Sequence, residues 1–432
     1  MDLKAFESFE QLRGYAGSMG VTLNAGDISA LSCPLVAEGK SIPNRLLVQP
    51  FECCDAEDNG APSELTRRRY LRFAAGGAGL VWMEATALLE ELKSNPHQLV
   101  LTEKTLGAFS RLNTEMKEAA VRQGGEAPVL VLQMTHPGRS CITPVPAADR
   151  ESWEPVKPSK GEKALSDDEI ERLAEVYGKV TRLARAAGFD GVEVKACHFY
   201  FISELLSAYE RPGRYGGSFE NRARHLKEAL AAARAETGGM LLTVRYNHYD
   251  GIPYPDGFGM KKDGGLSPNA EEPLRLIAEI KDEFGVELVN CSSSGPRFGD
   301  YPAAERPDDE LFMPPNNPLK SGARMHRFAA EVKRAVTGIK VVATEFSQLR
   351  QYGAAVGAGM VERGEADLIG FGRQPIAYPD FARDILQSGG MDKEKLCLCC
   401  GGCGRMLGAQ INGGCVVRDE LYKNTSKKRH ER

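Results

Sequence analysis

The sequence predicts a closed (β/α)8 TIM barrel that continues into a short C-terminal cysteine-rich segment. Three observations predict it. Eight short apolar runs, each bounded by turn residues, recur between helical patterns, which is the arrangement of a parallel sheet with helical crossovers. No Gly-rich dinucleotide fingerprint follows any of the runs, which argues against an open doubly wound sheet. The residues that end the runs are mostly polar, as expected where barrel strands deliver side chains to a catalytic face.

In chain order the runs are LLVQ (46–49), GLVWME (79–84), VLVLQ (129–133), GVEVK (191–195), LLTVR (241–245), ELVN (287–290), KVVAT (340–344) and DLIGF (367–371). The clearest intervening helix spans 166–187. Ser166 and Glu169 form a capping box, Ile170, Leu173, Val176, Val180, Leu183 and Ala187 recur at helical spacing, and Gly188 stops it. Residues 1–30 show no clear period and read as an N-terminal extension. The barrel is expected over 31–390, with a metal-binding segment and a charged, disordered tail over 391–432.

Composition narrows the function classes. With 432 residues, 42% hydrophobic and 26% charged, the chain reads as an ordinary soluble protein. A net charge of −4 offers no basic footprint for nucleic acid. No apolar run approaches the ~20 residues of a membrane helix, and the N-terminus lacks a signal peptide's apolar core. A cytoplasmic setting is expected, where disulfides are rare. Six cysteines are scattered (Cys33, Cys53, Cys54, Cys141, Cys197, Cys291), as small buried hydrophobes are. Five crowd one stretch: Cys397, Cys399, Cys400, Cys403 and Cys415.

The candidate catalytic face is a ring of strand-end residues: Gln49, Glu84, Gln133, Lys195, Arg245, Asn290, Thr344 and, after the last run, Arg373. The fourth run passes directly into Lys195, His198 and Tyr200, three side chains able to donate or exchange protons. Glu84 reads as structural, and Glu193 as a barrel-interior position.

The stretch from Lys195 through YGGS.ENR (Tyr215, Gly216, Gly217, Ser218, Glu220, Asn221, Arg222) resembles the Old Yellow Enzyme family of FMN-dependent ene-reductases. The resemblance covers roughly 31–390 and implies roles for individual residues. Gln49, Pro50 and Phe51 would lie along the isoalloxazine, and Ala85 would let the flavin approach. Gln133 would hydrogen-bond the pyrimidine edge, since an amide both donates and accepts. Arg245 would stabilise charge at N1 and O2, and Gly372 and Arg373 would hold the phosphate. Three positions depart from the family pattern. Lys195 replaces a His that grips the substrate carbonyl, Glu52 stands where relatives often carry Cys or a small residue, and Glu345 interrupts a Gly-rich phosphate turn.

Cys397, Cys400, Cys403 and Cys415 read C-x2-C-x2-C-x11-C. This three-plus-one spacing favours an iron–sulfur cluster over zinc, with zinc, free thiols, or a register using Cys399 in place of Cys400 as alternatives. The segment is similar to that of the 2,4-dienoyl-CoA reductase and trimethylamine dehydrogenase branch of the family, which implies a [4Fe–4S] cluster. The expected reaction is reduction of an unsaturated carbonyl compound, with Lys195 and His198 on its oxygen and Tyr200 protonating the α-carbon. An amine or other C–N dehydrogenase, or a non-catalytic electron-transfer subunit, is the alternative. Only 17 residues (432 − 415) follow Cys415, no room for a nucleotide-binding domain. A separate redox partner, ferredoxin or flavoprotein, is therefore expected near the cysteines. The alternative is NAD(P)H reducing FMN directly with a structural cluster. The family implies self-association.

Overall fold

The computed structural model describes residues 6–155, 157–293 and 318–423. An antiparallel hairpin, β1 (Leu35–Ala37) and β2 (Lys40–Ile42), precedes eight parallel strands. These are β3 (Leu46–Val48), β4 (Leu80–Ala87), β5 (Val129–Thr135), β6 (Gly191–Ala196), β7 (Leu241–Asn247), β8 (Leu288–Ser292), β9 (Lys340–Ala343) and β10 (Leu368–Phe371). They close into a barrel in sequence order, with β10 pairing back onto β3. Each of the eight predicted runs forms one barrel strand.

The helices begin with α1 (Phe9–Ser18), α2 (Glu64–Ala75), α3 (Leu106–Arg122), α4 (Asp167–Ala186), α5 (Phe201–Leu206), α6 (Phe219–Glu236) and α7 (Glu271–Phe284). They continue with α8 (Pro318–Ala335), α9 (Gly353–Glu362), α10 (Arg373–Ala377), α11 (Phe381–Ser388), α12 (Gly402–Gly408) and α13 (Glu420–Lys423). On α4 the capping box forms as predicted, Ser166 accepting from the Glu169 amide while Glu169 reaches back to the Ser166 amide. The N-terminal extension differs from expectation because it contains a helix. In α1 only Leu12 and Ala16 are buried, one four-residue step that is too sparse to register as a period. The hairpin strands are three residues each and leave no legible alternation. The tail 424–432 lies outside the described residues.

Side-chain alternation builds two layers. Leu47, Leu80, Trp82, Val129, Val131, Leu241, Leu288, Val342 and Leu368 pack with Leu35, Ala37 and Ile42 of the hairpin, which closes the N-terminal end of the barrel. The alternate residues, among them Val48, Val81, Leu130, Leu132, Val192, Val194 and Val244, pack outward against the helices. Continuing the inward parity towards the C-terminal ends reaches Gln49, Gln133, Glu193, Arg245 and Asn290. The interior therefore turns from apolar to polar along its axis. Between Met83 and Thr86 the β4–β5 register slips, setting Glu84 and Ala85 opposite the single Gln133.

The cysteine-rich segment is tied down across the β10–β3 seam. The Cys397 amide donates to Gln374 Oε1 at 3.0 Å and Arg350 Nη1 donates to the Cys397 carbonyl at 3.2 Å. Farther on, the Gly413 amide donates to the Cys53 carbonyl at 2.7 Å. A Cβ at Gly413 would sit 2.9 Å from the Cys53 Cα, so only glycine permits this approach. Asp419 then pairs with Arg68 and Arg72 of α2 at 2.8 and 2.7 Å.

Candidate active site

The upper barrel interior is one hydrogen-bonded network. Gln49 and Asn290 exchange reciprocal amide bonds of 3.0 and 2.9 Å. Glu193 accepts from Gln133 Nε2 at 2.6 Å and from Asn290 Nδ2 at 3.3 Å. Burial pushes the Glu193 carboxyl up to about 7, partly offset by Arg245 and the two amides. Gln49 lies across Gly370, where a Cβ would come within 2.4 Å of its Nε2. Arg245 is buried, and its Nε has no hydrogen-bond partner among the described residues. A buried donor left open at a barrel mouth is a place for an acceptor from a bound group.

Above this floor, the loop after β3 carries Glu52 to the end of β6. Glu52 Oε1 accepts from Lys195 Nζ at 3.1 Å and from the Tyr200 hydroxyl at 3.1 Å. Lys195 Nζ also stands 4.0 Å from the Tyr200 ring centre, and Lys157 Nζ 5.0 Å from it. Lys157 is itself fixed on the Phe199 carbonyl and Ser140 Oγ at 2.8 and 3.0 Å. Burial and then the Glu52 carboxylate hold the Tyr200 phenol well above its usual range, so it stays protonated.

Glu84 braces that loop from below. It accepts from the amides of Cys53 and Cys54 at 2.7 and 3.3 Å and pairs with the buried Arg69, which also binds Asp55. The structural reading of Glu84 thus acquires content, because it fixes the backbone next to Glu52.

His198 goes elsewhere. His198 and Phe199 both adopt left-handed backbone conformations, φ +62 and +57. His198 Nε2 lies 2.9 Å from Ser292 Oγ on β8. Burial, then Arg245 and Lys195, keep its imidazole well below its usual pKa and hence neutral. Lys195 and Tyr200 therefore meet on Glu52, whereas His198 faces the β8 end. The YGGS.ENR residues are structural: Ser218 caps α6 and Arg222 pairs with Glu272 at 2.6 Å. Sequence reasoning missed Glu52 as a partner, Asn290 as the hub linking Gln49 to Glu193, and Lys157. Glu52 left a signal as an unexpected residue type and Asn290 as a polar strand end, whereas Lys157 left none.

At the β9–β10 end, Gly372 and Arg373 are half-buried, and Glu345 adopts φ +74 while its carboxylate accepts from Gln348. Arg373 lines a small cavity with Cys397, Cys399, Cys400, Cys403 and Cys415. The Cys399 amide donates to Cys397 Sγ at 3.3 Å and the Arg418 amide to Cys415 Sγ at 3.2 Å. The Cys399 thiol and amide, then Arg373 and Arg350, draw the Cys397 thiol down from its ordinary range, against the effect of burial. Among the described residues no three His, Cys, Asp or Glu side chains converge as a single metal ion requires.

The sequence pattern of the NADH:flavin oxidoreductase / NADH oxidase family matches residues 31–258, more than half of the chain. The chain belongs to this family, the Old Yellow Enzyme family. It is an FMN-dependent oxidoreductase. The NADPH dehydrogenase of Clostridium acetobutylicum is 28% identical over 268 residues, 59% of this chain and 70% of that protein. The NADPH dehydrogenase of Bacillus subtilis is 25% identical over 368 residues, 82% of this chain and 93% of that protein. Among solved structures, a 2-naphthoyl-CoA reductase in complex with 2-naphthoyl-CoA has TM-score 0.74 and 20% identity, covering 92% of this chain and 58% of that one. The old yellow enzyme homologue from Zymomonas mobilis has TM-score 0.61 and 22% identity, covering 84% and 94%. At these identities the structural likeness shows the fold. The chain spans under two thirds of the 2-naphthoyl-CoA reductase.

Against the family's cofactor, the residues present fit. The open Arg245 donor, the fixed amides of Gln49 and Gln133 and the bulge at Ala85 make a polar floor suited to a flavin's pyrimidine end. No helix among the described residues is long and apolar enough to cross a membrane.

Proposed function

We propose that this family member reduces an activated C=C bond in an unsaturated carbonyl compound, an enone or an enoyl thioester. The observation that carries the reading is the meeting of an ammonium and a protonated phenol, Lys195 and Tyr200, on one carboxylate oxygen beside the polar floor. FMN, when bound, supplies the hydride that adds to the substrate's β-carbon. Gln49, Pro50, Phe51, Ala85, Gln133 and Arg245 would hold its ring system, and Gly372 and Arg373 its phosphate. Lys195, from the Glu52 side, would meet the carbonyl oxygen as negative charge develops there, and His198 would reach it only from the β8 side, where it now lies on Ser292. Tyr200, still protonated because of its burial and the adjacent Glu52, gives its proton to the α-carbon. The fold likeness to a structure holding an aryl-CoA thioester supports a thioester as one substrate class.

Cys397, Cys400, Cys403 and Cys415 would hold a [4Fe–4S] cluster, which when bound exchanges single electrons. Their shared cavity and the amide donors on Cys397 and Cys415 sulfurs support this reading, and a cluster of several irons holds its ligands farther apart than one ion does. Cys400 is exposed, which suits a docking redox partner, ferredoxin or flavoprotein, at this segment. NADPH alone reducing the flavin as fast as turnover, unaffected by loss of the cluster, would remove the partner from the scheme.

The function is tested by mixing anaerobically reduced protein with 2-cyclohexenone, with an enoyl-CoA ester and with amines. Flavin reoxidation by either unsaturated compound supports the reading. Reduction of the oxidised protein by amines, without reoxidation by enones, would replace it with a C–N dehydrogenase.

A further inference from the structure

We propose that Glu52 is the positioning residue of proton delivery, holding Lys195 and Tyr200 in one register and returning the proton that Tyr200 gives up. This rests on the assignment of Tyr200 as proton donor. Glu52 Oε1 is the shared acceptor, 3.1 Å from Lys195 Nζ and 3.1 Å from the Tyr200 oxygen, with Oε2 3.4 Å from that oxygen. The carboxylate is set by its backbone, because the next two amides are bound to buried Glu84 and the Cys53 carbonyl accepts from Gly413. Glu52 is 13% exposed at its side chain and Lys195 5%, so the pair is shielded yet has a narrow path to solvent.

The geometry gives the proton a balanced route. When the Tyr200 O–H bond breaks, its proton forms the new C–H bond at the substrate's α-carbon and a phenolate remains. Lys195 passes an ammonium proton to Glu52 Oε1, which passes it to the phenolate, and water reprotonates the Lys195 amine. The phenolate is transiently faced by two ammonium groups, Lys195 and Lys157, which oppose the repulsion from Glu52. No other co-reactant is needed.

The test uses dithionite-reduced, FMN-loaded protein mixed with 2-cyclohexenone in H2O and in D2O. Glu52→Gln keeps the shape and removes the charge. It should slow flavin reoxidation about tenfold or more, part of the 10²–10⁴ range of general acid catalysis, and alter the solvent isotope effect. FMN content and dithionite reduction should be unchanged. In a Tyr200→Phe background the same substitution should add little, because Glu52 acts through Tyr200. Equal slowing in both backgrounds, or no slowing in either, overturns the proposal. If Tyr200→Phe itself leaves reoxidation unchanged, the donor assignment fails first. Should Glu52→Gln lose FMN, Lys195→Met combined with Tyr200→Phe serves instead: additive losses would show that no common acceptor couples the two donors.

Discussion

Glu52 and Lys195 face each other at 3.1 Å across the barrel mouth, one from the loop after β3 and the other from the end of β6. The resemblance read from the sequence marks both positions as departures from the family pattern, and in the structure the two residues are partners. A carboxylate alone in place of a small residue would be a buried charge without compensation, and so would a lysine alone in place of a histidine. Breaking such a shielded pair typically costs about 3–5 kcal/mol, far more than an exposed pair does.

Tyr200→Phe should slow reoxidation of the reduced flavin by an enone about 10²–10⁴-fold and leave flavin reduction nearly intact. Stopped-flow absorbance of each half-reaction measures this. An unchanged oxidative half-reaction would move the donor role to His198.

Cys403→Ala should remove iron and acid-labile sulfide together while much of the FMN stays bound. Anaerobically purified protein should hold about four of each per chain. Stoichiometric zinc without sulfide would contradict the cluster.

Glu193 makes stability pH-dependent in a specific direction. Its folded pKa, about 7, lies above the ordinary carboxylate value, so the folded state binds more protons than the unfolded one between about pH 4.5 and 7. Stability contributed by this group is present below that window and is lost as pH rises through it, by about 3 kcal/mol. Glu193→Gln should therefore gain stability relative to the wild type as pH rises from 5 to 7. Urea denaturation of the FMN-loaded proteins across that range checks the sign, and a parallel pH course for both would contradict it.

Glu84→Ala should cost about 3–5 kcal/mol, because it strips Arg69 of a buried partner and leaves the Cys53 and Cys54 amides without their acceptor. It should also slow the oxidative half-reaction, because Glu52 hangs from that backbone. A stability loss with normal reoxidation would separate the loop's rigidity from catalysis.

Much of the fold was legible because local rules write it. The apolar runs VLVLQ and LLTVR mark strands that end in Gln133 and Arg245, and the Ser166–Glu169 box starts α4 within its own four residues. Helix α1 and the hairpin were not legible, since so few residues repeat in them. Lys195 and Tyr200 were found from strand-end chemistry, but Glu193 read only as an interior position, because its two amide partners come from β5 and β8.

The sequence by itself determined the eight strands and their polar ends, the capped helix and the cysteine spacing, all properties carried by residues within a few positions of one another. Tertiary structure decided the rest. Closure of β10 onto β3 set the cysteine segment across that seam, and the β4–β5 bulge set Glu84 and Ala85 against one residue of the neighbouring strand. Above all it brought Glu52 to Lys195, 143 positions away and on a strand that is not a neighbour of β3. Charge pairing falls off over a few ångströms once water intervenes, so a partner at that separation exists only after the barrel has closed.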